Sequence, residues 1–184
     1  MRLAGGWEIA RRYFVMNGFD GVLTIFGTVI GAFLLHHDEP KNIIIPGIGA
    51  AIAIGISGFW IAYLTEEAEQ SLEKKRIESM IFTNLDKSSY TKASKIASVI
   101  NSFIDGFSPF MFGIFVLLPF FMVQVGFFTM EVAYWISFIV AFILLFVLGT
   151  LLGKIAHANK LVFGLKTLMA GIFICLFMLL TGFE

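Results

Sequence analysis

Charged side chains are scarce in this chain, and they carry no net charge. Only 14% of the 184 residues are charged, 13 basic residues balance 13 acidic ones, and 58% of residues are hydrophobic. A water-soluble domain of ordinary surface has about 25% charged residues. The composition therefore predicts an integral membrane protein. It also argues against nucleic-acid binding, which needs a basic face with aromatic side chains.

Cysteine and catalytic motifs are nearly absent as well. Cys175 is the single cysteine, so neither an intrachain disulfide nor a cysteine metal cluster is expected. The sequence has no Gly-x-Ser-x-Gly, no His-Glu-x-x-His and no glycine-rich phosphate loop, and its three His lie outside the apolar runs. We therefore expect neither enzymatic activity nor a resident cofactor.

Long apolar runs, by contrast, occur five times. Each is long enough for a helix that crosses the bilayer, which needs about 20 residues. The predicted spans are about 13–35, 42–64, 97–123, 130–152 and 161–183. This predicts an all-α polytopic membrane protein with a parallel two-span repeat. The chain divides into three regions. Residues 1–64 hold an interfacial segment and spans 1 and 2, and residues 97–184 hold spans 3 to 5. Between them, residues 65–96 form an acidic helical extension and a polar linker at 84–94.

Proline affects spans 2 and 3 differently. Pro46 falls near the first turn of span 2, where a missing N–H costs little. No breaker follows Leu64, so span 2 is expected to continue as a helix into water. Span 3 contains Pro109 and Pro119 and is expected to be kinked or broken.

Basic residues are distributed unevenly between the predicted loops. Three Arg precede span 1, six Lys or Arg lie between spans 2 and 3, and two Lys lie between spans 4 and 5, whereas Lys41 alone falls on the other side. Basic loops stay in the cytoplasm. The pattern predicts a cell-membrane protein with a cytoplasmic N-terminus and the C-terminus outside.

Two acids interrupt the apolar runs in matching contexts. The sequences Phe19-Asp20-Gly21 and Ile104-Asp105-Gly106 lie 85 positions apart, and each is followed by a further Gly seven or eight residues after the Asp. At ~1.5 Å per residue Asp20 lies roughly 10 Å inside its span, where an acid costs about 2.5–3.5 kcal/mol. Two Asp-Gly steps in corresponding helices predict a polar site between repeats.

The residues around these acids suit a divalent cation. Asp20 and Asp105 supply carboxylate oxygens, Asn17 lies close to Asp20 in sequence, and Met16 and Met111 could add thioether ligands. Such oxygen ligands suit Mn²⁺, Fe²⁺ or Mg²⁺. The alternative is structural: the buried acids would pair with Lys166, the only basic residue within an apolar span, or would accept hydrogen bonds from polar neighbours, namely Asn17, Asn101, Thr24 and Ser108.

An acidic segment follows span 2. Glu66, Glu69 and Glu73 share one helical face at i, i+3 and i+7. One interpretation is a solvated face balanced by neighbouring Lys and Arg residues. The other is a cation-binding face that collects ions before they enter the membrane.

The sequence resembles the vacuolar iron transporter family in several of these motifs. The matching segments are Asp20-Gly21, the stretch from Gly55-Ile56-Ser57-Gly58 to Thr65-Glu66, the stretch from Ile104-Asp105-Gly106 to Leu117-Leu118-Pro119-Phe120, and Met169-Ala170-Gly171. The resemblance implies a five-span homodimer that moves Fe²⁺ or Mn²⁺ out of the cytosol in exchange for protons. The metal is then the substrate. The alternative is a membrane scaffold or regulatory subunit whose buried acids pair with Lys166.

Overall fold

The computed structural model describes residues 3–81 and 89–181, which form five α-helices and contain no β-strand. In chain order they are α1 (Leu3–Leu34), α2 (Lys41–Ile81), α3 (Ser89–Gln124), α4 (Met130–Ile155) and α5 (Lys160–Thr181). All five are long and apolar enough to cross a membrane. The predicted all-α polytopic membrane protein is thereby confirmed. Of the polar linker predicted at 84–94, residues 84–88 lie outside the described residues, whereas 89–94 belong to α3 and not to a linker.

The helix α2 is much longer than a bilayer requires. Its 41 residues span about 60 Å at ~1.5 Å per residue, roughly twice the hydrocarbon thickness. The acidic segment therefore continues the same helix that crosses the membrane, as the sequence predicted. The predicted interfacial segment is likewise the beginning of α1 rather than a separate helix.

The predicted break in span 3 does not form, because α3 is helical through both of its prolines. Pro109 is fully buried against α1. A Cβ atom on Gly21 would lie 2.2 Å from the Pro109 carbonyl oxygen, so only glycine permits this approach. Close packing of a neighbouring helix can maintain a transmembrane helix at a proline.

The helix α1 is the centre of the bundle and contacts all four other helices. The apolar core consists of buried side chains from α1, α2, α3 and α4, including Val22, Ile25, Phe26, Val29, Ile43, Leu117, Phe120 and Leu145. The helix α5 is the most peripheral. It packs on α4 where the Thr167 hydroxyl donates a hydrogen bond to the Leu145 carbonyl, at 2.9 Å.

The two ends of the bundle differ in chemistry. At one end α1 meets α2 in a short turn, and the Tyr134 hydroxyl of α4 donates to the His37 carbonyl of that turn at 2.9 Å. The Tyr134 ring packs edge-on against Phe33 and Phe120 there. The opposite end, where α1 begins and α2 gives way to α3, is named the α2–α3 end. Polar side chains enter the bundle from this end.

We expect Gly21→Ala to destabilise the protein, because its methyl group would overlap the Pro109 backbone. Overpacking of this kind costs about 1–3 kcal/mol. The measurement is thermal unfolding in detergent micelles. Gly49→Ala is the matched control, since no atom lies within 4 Å of the position of its new Cβ. Equal melting temperatures for the two variants would contradict the proposed contact.

Candidate cation site

A stripe of polar side chains runs along the buried face of α3. Its spacing of three or four residues places every member on one side of the helix. The members, all buried, are Ser98, Asn101, Ser102, Asp105 and Ser108. In a transmembrane helix such residues face the bundle interior and bind to neighbouring helices. The stripe therefore defines the seam where α3 meets α1 and α2.

Asp105 lies at the centre of this seam and is only 8% exposed. The Asn17 amide of α1 donates a hydrogen bond to its Oδ1 atom. The same Nδ2 atom also donates to the Tyr13 carbonyl at 3.2 Å. Because both partners are acceptors, the amide must present its NH₂ group to them. The buried carboxyl group is thus held by a neutral donor.

Glycine lets α2 enclose the third side of Asp105. A Cβ atom on Gly106 would lie 2.4 Å from the Gly55 carbonyl oxygen, so the backbones of α3 and α2 touch here. One turn further along α2, a Cβ atom on Gly58 would lie 3.4 Å from both the carbonyl oxygen and Oδ2 of Asp105. Pro109 has no N–H group to donate to this carbonyl, which lies four residues before it. The Asp105 carbonyl faces α2 beside the carboxyl group.

Polar contacts continue from Asp105 towards the α2–α3 end. Asn101, one turn before Asp105, donates from Nδ2 to Glu66 Oε1 of α2 at 3.5 Å. A turn further, the Gln70 amide donates to the Ser98 hydroxyl. Side chains that can bind a cation or water therefore line the seam from the polar part of α2 to the buried carboxyl group.

Asp20 lies in a different environment from Asp105. Both lie within candidate membrane spans, Asp20 in α1 and Asp105 in α3. Asp20, however, is exposed on the outer surface of α1. Across the ranges 3–81 and 89–181, no hydrogen bond or ion pair reaches it. The two acids thus both lie in membrane spans but differ in burial.

The outer face of α1 is defined here by Met16, Asp20, Thr24 and Gly27. Met16 is 51% exposed and lies one turn before Asp20. No atom lies within 4 Å of a Cβ position at Gly27. The face therefore combines a thioether, a carboxylate, a hydroxyl and open space beside Gly27.

Two predicted cation ligands are placed elsewhere. Met111 packs against the apolar core and does not join Asn17 and Asp105 at the seam. Glu66 faces α3, Glu69 is exposed and Glu73 is half-buried, so the three acids differ in surroundings. Within the described part of one protomer, no three His, Cys, Asp or Glu side chains form a group that could hold a metal. Metal binding by the extension stays a prediction.

Lys166 does not pair with either acid in the described residues. Its Nζ atom lies 5.4 Å from the centroid of the Phe163 ring, and its side chain is exposed on α5. A lysine near a helix end commonly extends towards the membrane surface in this way. The contacts therefore give no support to a structural role for the acids as partners of Lys166.

The seam includes polar residues that the sequence analysis did not assign to the site. Ser98 and Ser102 continue the stripe, and Gln70 extends it onto α2. The signal was available in the sequence, because five polar residues repeat at helical spacing between 98 and 108 within an apolar span.

Comparison of the chain with protein-family models, curated proteins and solved structures gives no match.

We expect Asn17→Leu to destabilise the protein by about 1–3 kcal/mol, because Asp105 then loses its donor while it stays buried. The double variant Asn17→Leu/Asp105→Leu should recover most of this loss, since replacing both partners by apolar groups is nearly neutral. Thermal unfolding in micelles gives all three values. Lys166→Met is the control and should leave the melting temperature unchanged. Additive losses in the double variant would show that the two side chains are not coupled.

Proposed function

We propose that this protein is a homodimeric transporter that moves a divalent cation, Fe²⁺ or Mn²⁺, out of the cytosol in exchange for protons. The observation that carries the proposal is the position of Asp20: a carboxylate at membrane depth, on the outside of a protomer, with no partner in the described residues. A carboxylate facing lipid costs about 2.5–3.5 kcal/mol on insertion scales. Asp20 therefore needs contact with protein or water that a single protomer does not supply.

A second copy of the chain meets this need most simply. Most soluble homo-oligomers have two-fold symmetry, and a two-fold contact brings the same surface of each protomer together. With the outer face of α1 at the contact, two copies of Asp20 and two of Met16 would converge near the axis. The gap at Gly27 allows the two helices to approach closely.

The ligand types favour a transition metal over an alkali ion. Carboxylate oxygens suit Mn²⁺ and Fe²⁺, and a thioether adds a softer ligand that favours Fe²⁺ over Mg²⁺. Asp105 supplies a further carboxyl group, at the contact between α3 and Asn17 of α1. Asp105 of α3 and Asp20 lie on opposite sides of α1. They can pass an ion from the seam to the dimer axis, and they can also carry protons in the return direction.

Charge sets the proposed orientation in the cell membrane. The basic residues gather at the α2–α3 end, including Arg11, Arg12, Lys154 and Lys160, and basic loops remain in the cytoplasm. We therefore place this end in the cytosol and the C-terminus outside. The acids of the α2 extension would then attract cations before entry. A scaffold role for the chain requires neither the acidic side chains of the α2 extension nor the exposed acid on α1, Asp20.

We expect Asp20→Asn to reduce Mn²⁺ flux into proteoliposomes by roughly 10–100-fold, the loss typical when a metal site is disturbed. Its melting temperature should stay the same or rise, because a costly charge has been removed. Asp38→Asn is the matched control, since Asp38 is an exposed acid in the turn between α1 and α2. A folded Asp20→Asn protein that transports at the wild-type rate would exclude Asp20 as a transport residue.

We also expect Thr24→Cys, introduced into a Cys175→Ser background, to form an intermolecular disulfide on mild oxidation in membranes. Thr24 lies on the outer face of α1, one turn from Asp20, and two-fold contacts bring equivalent residues together. Ile139→Cys on the exposed surface of α4 is the control. Cross-linking is read as a dimer band on a non-reducing gel. Cross-linking of the control alone would place the contact on α4 instead.

A further inference from the structure

The hydrogen bond between Asn17 and Asp105 has a consequence for how a cation enters. A buried carboxylate normally needs a positive partner or several donors. In the described residues, no basic side chain lies within ion-pair distance of Asp105, and the donor it has is the neutral Asn17 amide. The positive end of an amide dipole therefore occupies the place where a cation would bind.

The orientation of this amide is fixed by its second contact. Asn17 Nδ2 also donates to the Tyr13 carbonyl, one turn back in α1. Turning the amide over would point its oxygen at two acceptors, which is unfavourable. A cation at Asp105 would likewise face two N–H groups in the present arrangement. Cation binding at the Oδ1 atom of Asp105, alone or together with Oδ2, thus requires the Asn17 side chain to move away.

A polar route leads to this point from the α2–α3 end. Glu66 accepts from Asn101 at 3.5 Å, and Asn101 lies one turn from Asp105 on the same face of α3. A cation that replaces the Asn101 contact at Glu66 would next meet the Asp105 carboxylate. The glycine-lined contact with α2 leaves no space for a bulky side chain beside Oδ2. The route ends where the Asn17 amide lies.

We propose that the Asn17 amide is an internal competitor of the transported cation: it holds Asp105 in the empty state and is displaced when a divalent cation arrives between α1, α2 and α3. This inference deepens the proposed transport function and rests on it for the identity of the ion. It assigns Asn17 the opposite role from a metal ligand. Removal of a ligand weakens binding, whereas removal of a competitor strengthens it.

The test measures Mn²⁺ affinity on the full chain in lipid nanodiscs, using the paramagnetic resonance signal of free Mn²⁺. We expect Asn17→Ala to lower the Kd by roughly tenfold or more, the effect of losing a competing hydrogen bond to a charged group. The gain should vanish in Asn17→Ala/Asp105→Asn. Asn42→Ala, an exposed amide at the start of α2, should bind as the wild type does. A raised or unchanged Kd for Asn17→Ala would overturn the proposal.

A thermal measurement covers the case in which Asn17→Ala folds poorly. A cation that binds only the folded state stabilises it by mass action, so Mn²⁺ should raise the melting temperature of Asn17→Ala more than that of the wild type. An equal or smaller rise would count against competition by the amide.

The outcomes also separate this inference from the transport function. If the wild type binds Mn²⁺ in a way that depends on Asp20 but Asn17→Ala binds no more tightly, competition by the Asn17 amide is excluded and the transport function stands. If the wild type transports no Mn²⁺ but Asn17→Ala shows tighter binding that depends on Asp105, the transport function is excluded and competition by the amide stands.

Discussion

The bundle depends on one constraint, which is that a carboxyl group buried at membrane depth must be satisfied by its neighbours. Asp105 meets this constraint through the Asn17 amide of α1. The contact fixes the rotation of α1 and α3 relative to each other, because a turn of either helix would leave the acid unpartnered in an apolar medium. The stripe of serines and asparagine on α3 extends the same constraint along the seam.

Glycine makes this arrangement sterically possible. Each Asp-Gly step places its glycine against the backbone of a neighbouring helix, Gly21 against Pro109 and Gly106 against Gly55. At the second step, Asp105 and Gly106 act together: the missing side chain of Gly106 lets α3 approach α2, and the Asp105 carboxyl group then lies at their contact. For Asp20 the same step leaves the acid on the outer side of α1. One local motif thus yields two environments.

The sequence was sufficient for the fold class and insufficient for the asymmetry of the site. Apolar runs and the lack of a breaker after Leu64 predicted five helices and the long α2 extension correctly, because both follow from local periodicity. Pro109 was expected to interrupt α3, but packing against Gly21 maintains the helix. The contrast between exposed Asp20 and buried Asp105 depends on which face of each helix meets its neighbours. Sequence spacing alone does not contain that information.

The length of α2 has a mechanical consequence. A continuous helix of 41 residues behaves as a stiff rod, so a small tilt where it contacts Gly106 is enlarged at its far end beyond the membrane. The polar extension of α2 is attached to α3 by the hydrogen bond between Gln70 and Ser98. The two helices are therefore joined there as well as at their close backbone contact, Gly55 with Gly106. A tilt of α2 that accompanied a side-chain displacement in the seam would therefore move the polar end of α2 and the attached part of α3 together.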